Sequence, residues 1–250
     1  MKVLIVGASG STGKLLTEHL LSLGHSVRIM VRVTSTIPNA WDHNDMINIL
    51  RVGAIEDIST RELAKQLKEC QAVVSCLGHN PTFRGIYGKP RQLVSDTVEL
   101  LCRSIIENYP EKPMKFVLMN TAGNRNPDLN EPISFMEKIA IGLIRLLLPP
   151  QSDNEKAAEY LRVKIGQKNP FIEWVVVRPD SLKNHVKGSA YSLHRSPVRS
   201  ALFDSGQTSR INVAHFMSQL IINDTLWNSW KGQMPIIYNH EESEKKFSGA

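Results

Sequence analysis

Cysteine is scarce in this chain. Its three thiols, Cys70, Cys76 and Cys102, are an odd set without the Cys/His spacing of a zinc site, so neither a disulfide framework nor a bound metal is expected. Apolar neighbours, as in AVVSCLG around Cys76, make them buried reduced thiols rather than redox groups. No apolar run reaches the roughly 18 residues of a membrane span. The chain opens on a strand, a Gly-rich turn and a helix, an order without the regions of a secretory signal, and the expected location is cytoplasmic. Clustered charge is also missing. Lys and Arg outnumber Asp and Glu by 30 to 24, for a net charge of +6, but the basic residues are spread along the chain. Without a basic stripe or a DNA-reading motif, no nucleic-acid partner is expected, and an anionic dinucleotide is the more economical one.

What is present is an alternation of two patterns. Continuous apolar runs at Lys2 to Val6, Val27 to Val31, Ile47 to Val52, Ala72 to Leu77, Lys115 to Met119 and Trp174 to Arg178 have the composition of parallel strands buried on both faces. Between them, helical periodicity covers Thr12 to Leu23, with Leu15, Leu16, Leu20 and Leu23 on one face, then Thr60 to Lys68, Leu93 to Glu107 and Asp153 to Gln167. Gly24 is placed to cap the first helix. Strands alternating with helices predict an α/β Rossmann fold, a doubly wound parallel sheet with helices on both faces and a small C-terminal substrate region. Length and the 42% hydrophobic content suit a single dinucleotide-binding domain over 1–240, with a flexible tail at 241–250. Two segments exceed the minimal pattern. The apolar helix ISFMEKIAIGLIRLLL, 133–148, stopped by Pro149 and Pro150, is expected to cover the substrate side or the core; a homodimer contact or a membrane surface is the alternative use of such a face. The polar, Ser-rich stretch 183–209 reads as a substrate loop or lid.

The motif with chemistry is Gly7-Ala8-Ser9-Gly10-Ser11-Thr12-Gly13, between a predicted strand and a predicted helix. Gly7 allows the tight turn, Gly10 lets backbone N–H groups approach a diphosphate, and Gly13 permits close helix-to-sheet packing. The positive end of the helix attracts the phosphates, and the Ser9, Ser11 and Thr12 hydroxyls add donors. At the end of the second strand, where an NAD-binding protein places a carboxylate on the ribose, this chain has Arg32 and no acid before Asp42. A guanidinium forks onto a phosphate, so Arg32, with Thr34 and Ser35 nearby, points to the 2′-phosphate of NADP.

With GASGSTGKLL at the start, MVR after the second strand, VVSCLG, NTAG, DNEKAAEYLR and VVVRPD further on, most of the chain resembles the atypical short-chain dehydrogenases/reductases, the NAD(P)-binding, NmrA-like and biliverdin reductase B-like family. The resemblance implies that Leu77, Gly78 and His79 pass the adenine ribose and diphosphate. It also implies that Asn120, Thr121 and Ala122 face the nicotinamide, with Arg178 and Pro179 near its carboxamide. The Tyr-x-x-x-Lys pair of carbonyl-reducing relatives is broken: aligning Lys156 with the Lys puts Ser152 where the Tyr stands. Ser152-Asp153-Asn154-Glu155 looks like a helix capping box. Another departure is Gly53-Ala54, where the family often has Gly-Asp at the adenine.

Thr121 and Lys156 are the candidate catalytic residues, Thr121 to polarise an acceptor and Lys156 to hold the nicotinamide ribose, with Asn124 and His79 as further pocket residues. The expected function is an NADPH-dependent reductase, monomer or homodimer, passing hydride to a small molecule such as a flavin, quinone or conjugated carbonyl, whose reduction needs no strong protein acid. The alternatives are a non-catalytic NADP(H) sensor or assembly factor, motivated by the missing Tyr, and an enzyme using Tyr87 or Tyr191 as another donor.

Overall fold

The computed structural model describes residues 1–80, 82–131 and 133–240; the tail 241–250 lies outside the described residues. An eight-stranded sheet runs in the order β3 (Ile47–Val52), β2 (Ser26–Arg32), β1 (Lys2–Val6), β4 (Ala72–Ser75), β5 (Met114–Met119), β6 (Ile172–Pro179), β10 (Ile236–Asn239) and β8 (Tyr191–His194). Every pair from β3 to β10 is parallel, and only β8 runs antiparallel, at the edge. β1 starts one βαβ progression outward through β2 and β3 and is flanked on its other side by β4, so the order reverses between β1 and β4. A crevice opens at such a switch point, outside the carboxyl ends of the strands.

The pleat divides β1 between two cores. Val3 and Ile5 pack under α1 (Ser11–Ser22), α7 (Arg210–Ile222) and α8 (Asp224–Trp230), with Leu16, Phe216, Leu220 and Trp227. Leu4 and Val6 pack under α2 (Thr60–Leu67), α4 (Leu93–Glu107) and α6 (Pro149–Glu159), with Leu63, Leu101, Phe116 and Ala157. Both faces of the strands are therefore buried, which is why their sequences lack polar alternation. Burial of a single large apolar side chain contributes about 1.5–3 kcal/mol, and every apolar residue of β1 is fully buried.

Several sequence expectations need correction. Leu23 is exposed, because α1 ends at Ser22, and Gly24 closes the helix at φ +77° with its N–H on the Leu21 carbonyl, 2.9 Å. The last helix of the βα series starts at Pro149 instead of Asp153, with prolines in its first turn, so Ser152 lies inside the helix and is not its cap. It passes at Tyr160 into a π-helical turn ending at Ile165. The stretch 183–209 is not one loop. It contributes the edge strand β8, and its end, β9 (Gln207–Ser209), pairs in parallel with β7 (Ser181–Lys183). The apolar insert forms α5 (Phe135–Leu147), opened by Ser134, whose hydroxyl accepts from the Glu137 N–H at 3.1 Å. One face of α5 covers the hollows beside β5, while its outer face stays exposed.

Candidate active site

The crevice between β1 and β4 begins with the glycine turn. Gly7 leaves β1 at φ +78°, and a Cβ there would stand 2.7 Å from the Cys76 carbonyl, inside van der Waals contact. Its carbonyl accepts from the Gly10 N–H at 3.0 Å. A Cβ on Gly13 would overlap that same Gly7 carbonyl oxygen and the Ala8 Cα, so glycine there lets α1 come close against the turn. Gly10 is the N-cap of α1 and supplies no side-chain acceptor, and the first turn of the helix carries no acid. Its leading N–H groups are left for an anion, which the helix dipole favours. Thr12 and Gly13 are buried behind the turn, Ser11 is exposed at the helix start, and Ser9 faces the cleft.

A cleft of about 340 Å³ continues from this turn across the ends of β2, β3 and β4. Gly7, Ser9, Gly10, Arg32, Leu77, Gly78 and His79, expected at a dinucleotide, all line it, joined by Ser35, Gly53 and Ala54. Arg32 is exposed at the end of β2, and the Ser35 N–H turns back onto its carbonyl at 2.9 Å. Among the described residues no carboxylate lines the cleft, whereas Arg32 and Lys89 do. Lys89 was missed by sequence reasoning, because nothing local in the segment following β4 shows which residue folds back over the crevice. Where the family's aspartate is replaced by Ala54, the Asp57 carboxylate accepts from the Ala54 N–H at 3.1 Å, so the turn keeps an acid three residues later. Cys76 sits at the cleft wall, and burial raises its thiol to about 12, which keeps it protonated and inert.

His79 is pinned inside the protein. Its Nε2 lies 2.7 Å from Asp153 Oδ2 and its Nδ1 lies 3.1 Å from the Gly85 carbonyl. Both partners are acceptors, so neither ring nitrogen is left to donate to a substrate, and the expected donor role has no free group. Asp153 instead closes a network. Its carboxylate accepts from the Val94 N–H (2.8 Å), the Ser95 N–H (2.9 Å) and the Ser95 hydroxyl (2.6 Å). A residue of α6 thus caps α4, whose own N-cap residue, Gln92, makes no capping bond. Sequence reasoning assigned Asp153 to its own helix because a capping box is a local pattern, and this cap crosses about 60 positions of chain.

The other expected groups lie beyond this cleft, on its β5 and β6 side. Asn120 is buried, donating from Nδ2 to the Asn154 carbonyl at 2.8 Å and accepting the Thr121 N–H at 2.9 Å. Thr121 lines a hollow of about 280 Å³ with Gln151, Asp180 and Ile144. Lys156 and Ser152 line a neighbouring hollow of about 570 Å³ with Asn124 and Arg125, and Gly123 borders both. The Lys156 ammonium donates to Gln92 Oε1 at 2.7 Å, which ties α6 to the start of α4. Burial holds the Asp180 carboxyl above its ordinary range, against the N–H groups of Gly206 and Ser181 that it accepts.

Arg178 is a correction. Its guanidinium is fully buried and turned inward, with Nε on the Met234 carbonyl, Nη1 on the Asn124 carbonyl and Glu131, and Nη2 on Glu131 (2.7 Å) and the Arg195 carbonyl. All five donors are used within the protein, leaving none for a carboxamide. Pro179 ends β6 outside the cleft, and its carbonyl accepts the Ala122 N–H at 2.9 Å. Tyr191 lines a separate hollow between α1 and α7, its hydroxyl 2.8 Å from His215 Nδ1, and Tyr87 stands in the short helix α3 (Phe83–Tyr87).

Comparison with known proteins agrees with this geometry. An uncharacterized chloroplastic protein of Arabidopsis thaliana, At2g34460, is 27% identical over 190 residues, which are 73% of this chain and 60% of that protein. The chain thus spans less than two thirds of that relative's length. Among solved structures, a short-chain dehydrogenase/reductase from Veillonella parvula in complex with NADP superposes with a TM-score of 0.68 at 15% identity, covering 96% of this chain and 95% of that one. ChuY, an anaerobilin reductase from Escherichia coli O157:H7, gives 0.64 at 15% identity, covering 97% and 98%. Residues 7–224, from the glycine turn to the start of α8, match the NAD(P)H-binding family, and the chain belongs to it.

Proposed function

We infer that the protein is an NADPH-dependent reductase that passes hydride to a small-molecule acceptor requiring no strong protein acid, a flavin, quinone or conjugated carbonyl. The observation that carries the coenzyme choice is the charge of the cleft, with Arg32, Ser35 and Lys89 at its lining and no carboxylate among the described residues. A ribose hydroxyl pair calls for an acid at this place, and a 2′-phosphate calls for a guanidinium. The glycine turn and the open start of α1 hold the diphosphate through backbone N–H groups. When bound, the nicotinamide supplies the hydride. Thr121 offers a hydroxyl to orient the acceptor, and the exposed Lys156 ammonium, freed from Gln92, reaches the nicotinamide ribose. No phenol stands on α6 to donate a proton, since Ser152 takes the place of the tyrosine; solvent supplies it. The likeness to an anaerobilin reductase is in keeping with acceptors that are extended conjugated systems.

Titration calorimetry of NADPH and NADH into the protein and into Arg32→Ala tests the coenzyme choice. The loss of a bidentate contact to phosphate predicts a drop of roughly tenfold or more for NADPH and little change for NADH. Equal losses for both refute the role of Arg32, and absence of affinity for either coenzyme refutes the site. NADPH oxidation with a panel of flavins, quinones and conjugated carbonyls tests catalysis. Tight binding without turnover of any acceptor favours the second reading, a non-catalytic NADP(H)-binding protein, which the seryl residue at position 152 supports.

A further inference from the structure

The outer face of α5 is an apolar surface that the coenzyme site does not use. Placed at 100° per residue, Phe135, Leu146, Ile139, Leu143, Met136 and Leu147 fall within one continuous arc of about 120°, and all six are exposed, Leu146 to 80%. The opposite side faces inward. Ile141 and Ile144 border the hollows beside Thr121, and the buried Glu137 accepts from the Ser200 hydroxyl at 2.8 Å. That bond fixes beside the first turn of α5 a turn that carries the exposed Phe203.

The charges that α5 itself sets beside the face are positive, while Glu155 pairs with Arg145 and Asp204, next to Phe203, pairs with Arg199. Glu137, the helix's single acid, is turned inward, so no acid of α5 lies on the outer arc. Lys138 and Arg145 flank it together on one edge, and Arg145 remains 57% exposed while paired with Glu155 at 2.6 Å. An apolar stripe with a Phe at its start, cations along its border and no acid on it is complementary to the headgroup region of an anionic bilayer. The face is poorly made for a second copy of the chain. An antiparallel two-fold pairing about its middle sets Lys138 of one helix toward Arg145 of the other. Neither does α5 cross a membrane: among the described residues no helix is long and apolar enough.

We propose that α5 is an interfacial anchor, seating this protein on anionic lipid bilayers with the outer apolar arc in the acyl boundary and Lys138 and Arg145 among the phosphates. Its inner face then holds the Thr121 hollow next to the bilayer, where a membrane-dissolved acceptor is concentrated. The anchor is independent of the coenzyme choice.

The test is flotation of the whole protein with vesicles of phosphatidylcholine alone and of phosphatidylcholine with phosphatidylglycerol, with NADPH affinity of every variant measured in parallel. Partition onto the anionic vesicles, weakened by salt, is expected. Leu143→Glu and Leu146→Glu, both exposed and so compatible with folding, should each lower it on the order of tenfold or more, leaving NADPH affinity unchanged. Leu146→Trp should show a blue-shifted emission only with vesicles present. The proposal is overturned if the protein floats with neither vesicle, if it floats equally with both, or if the glutamate variants bind as the parent does. It is overturned in favour of self-association if the parent is a dimer in ultracentrifugation and Leu143→Glu dissolves it.

Discussion

Replacing Glu131 by Ala measures what Arg178 is for. In the folded protein the carboxylate of Glu131 receives Arg178 Nη2 at 2.7 Å, Arg178 Nη1 at 3.2 Å and the Asn126 N–H at 2.9 Å, with both ionised side chains wholly buried. Truncation leaves a guanidinium without its counter-charge in a site that water does not reach, and an orphaned backbone donor beside it. Loss of one partner of such a pair costs about 3–5 kcal/mol, a large part of the roughly 5–15 kcal/mol that holds a protein folded. At about 2–4 °C per kcal/mol for a domain of this size, the thermal midpoint should fall by roughly 6–20 °C. Glu131→Gln keeps one acceptor and should lose less. The double variant Arg178→Met, Glu131→Leu removes both buried charges and should recover part of the loss, the rest remaining because the Met234, Asn124 and Arg195 carbonyls lose their donor. Scanning calorimetry of the three variants, with NADPH titration at a temperature where each is folded, separates stability from binding. A midpoint unchanged in Glu131→Ala, together with weakened NADPH binding, would falsify the clamp and return Arg178 to the coenzyme.

Four further outcomes are expected. Asp153→Ala unbonds the start of α4 and frees His79 at once; with several buried donors orphaned at about 1–3 kcal/mol each, it should lower the thermal midpoint and weaken dinucleotide binding, and a stability loss with unchanged affinity would disconnect the network from the cleft. Gly13→Ala forces a Cβ onto the Gly7 carbonyl and should cost about 1–3 kcal/mol, with coenzyme affinity reduced in calorimetry. Burial raises the thiols of Cys70 and Cys76 to about 11 and about 12 and pushes Cys102 up as well, so a thiol-specific chromogenic reagent at neutral pH should label none until denaturant is added. Burial holds His215, next to His19, below the ordinary histidine value, as burial and the N-terminal ammonium do His25. The unfolded chain therefore binds more protons as pH falls through roughly 6.5. The thermal midpoint should drop between pH 7.5 and 5.5, and less steeply in His215→Gln; an equal slope in both would remove His215 as the cause.

The parallel strands and the glycine turn were legible because their causes are local. The apolar runs of β1 and β3 have the bounds read from sequence, and Gly7, Gly10 and Gly13 stand at spacings that a strand-turn-helix imposes on its own backbone. Arg32 was legible for the same reason, as the residue that ends β2. The missed elements owe their form to distant partners. α7 and α8 were not foreseen, although Phe216, Leu220 and Trp227 complete the core under β1. β10 was missed because a four-residue strand gains its definition from β6 and β8 on either side. Asp153 sits in sequence inside a capping box that points to Ser152 as a local cap, and it caps a distant helix only because α6 lies across the start of α4. Arg178 was read as a ligand residue from the resemblance, at the carboxyl end of β6; its side chain is claimed by Glu131, 47 positions away.

These distant bonds concentrate on one rim. Asn120 holds the Asn154 carbonyl, Asp153 holds α4 and His79, and Arg178 holds Glu131 and the Asn124 carbonyl. Together they fasten the segment after β5 and the helix α6 to the walls of the cleft, where loops leave the sheet and apolar packing thins out. A polar bond fixes direction more sharply than an apolar contact, and an orphaned buried partner is costly. The rim that would face an acceptor is therefore held in place by geometry that water cannot easily replace. It should open as a unit: in native-state hydrogen exchange the N–H groups of Val94, Ser95 and Asn126 should exchange together in Asp153→Asn, while those of β1 and β4 keep the protection of the parent. Loss of protection spread evenly over the sheet would mean instead that these bonds support the whole fold and that the rim has no separate cooperativity.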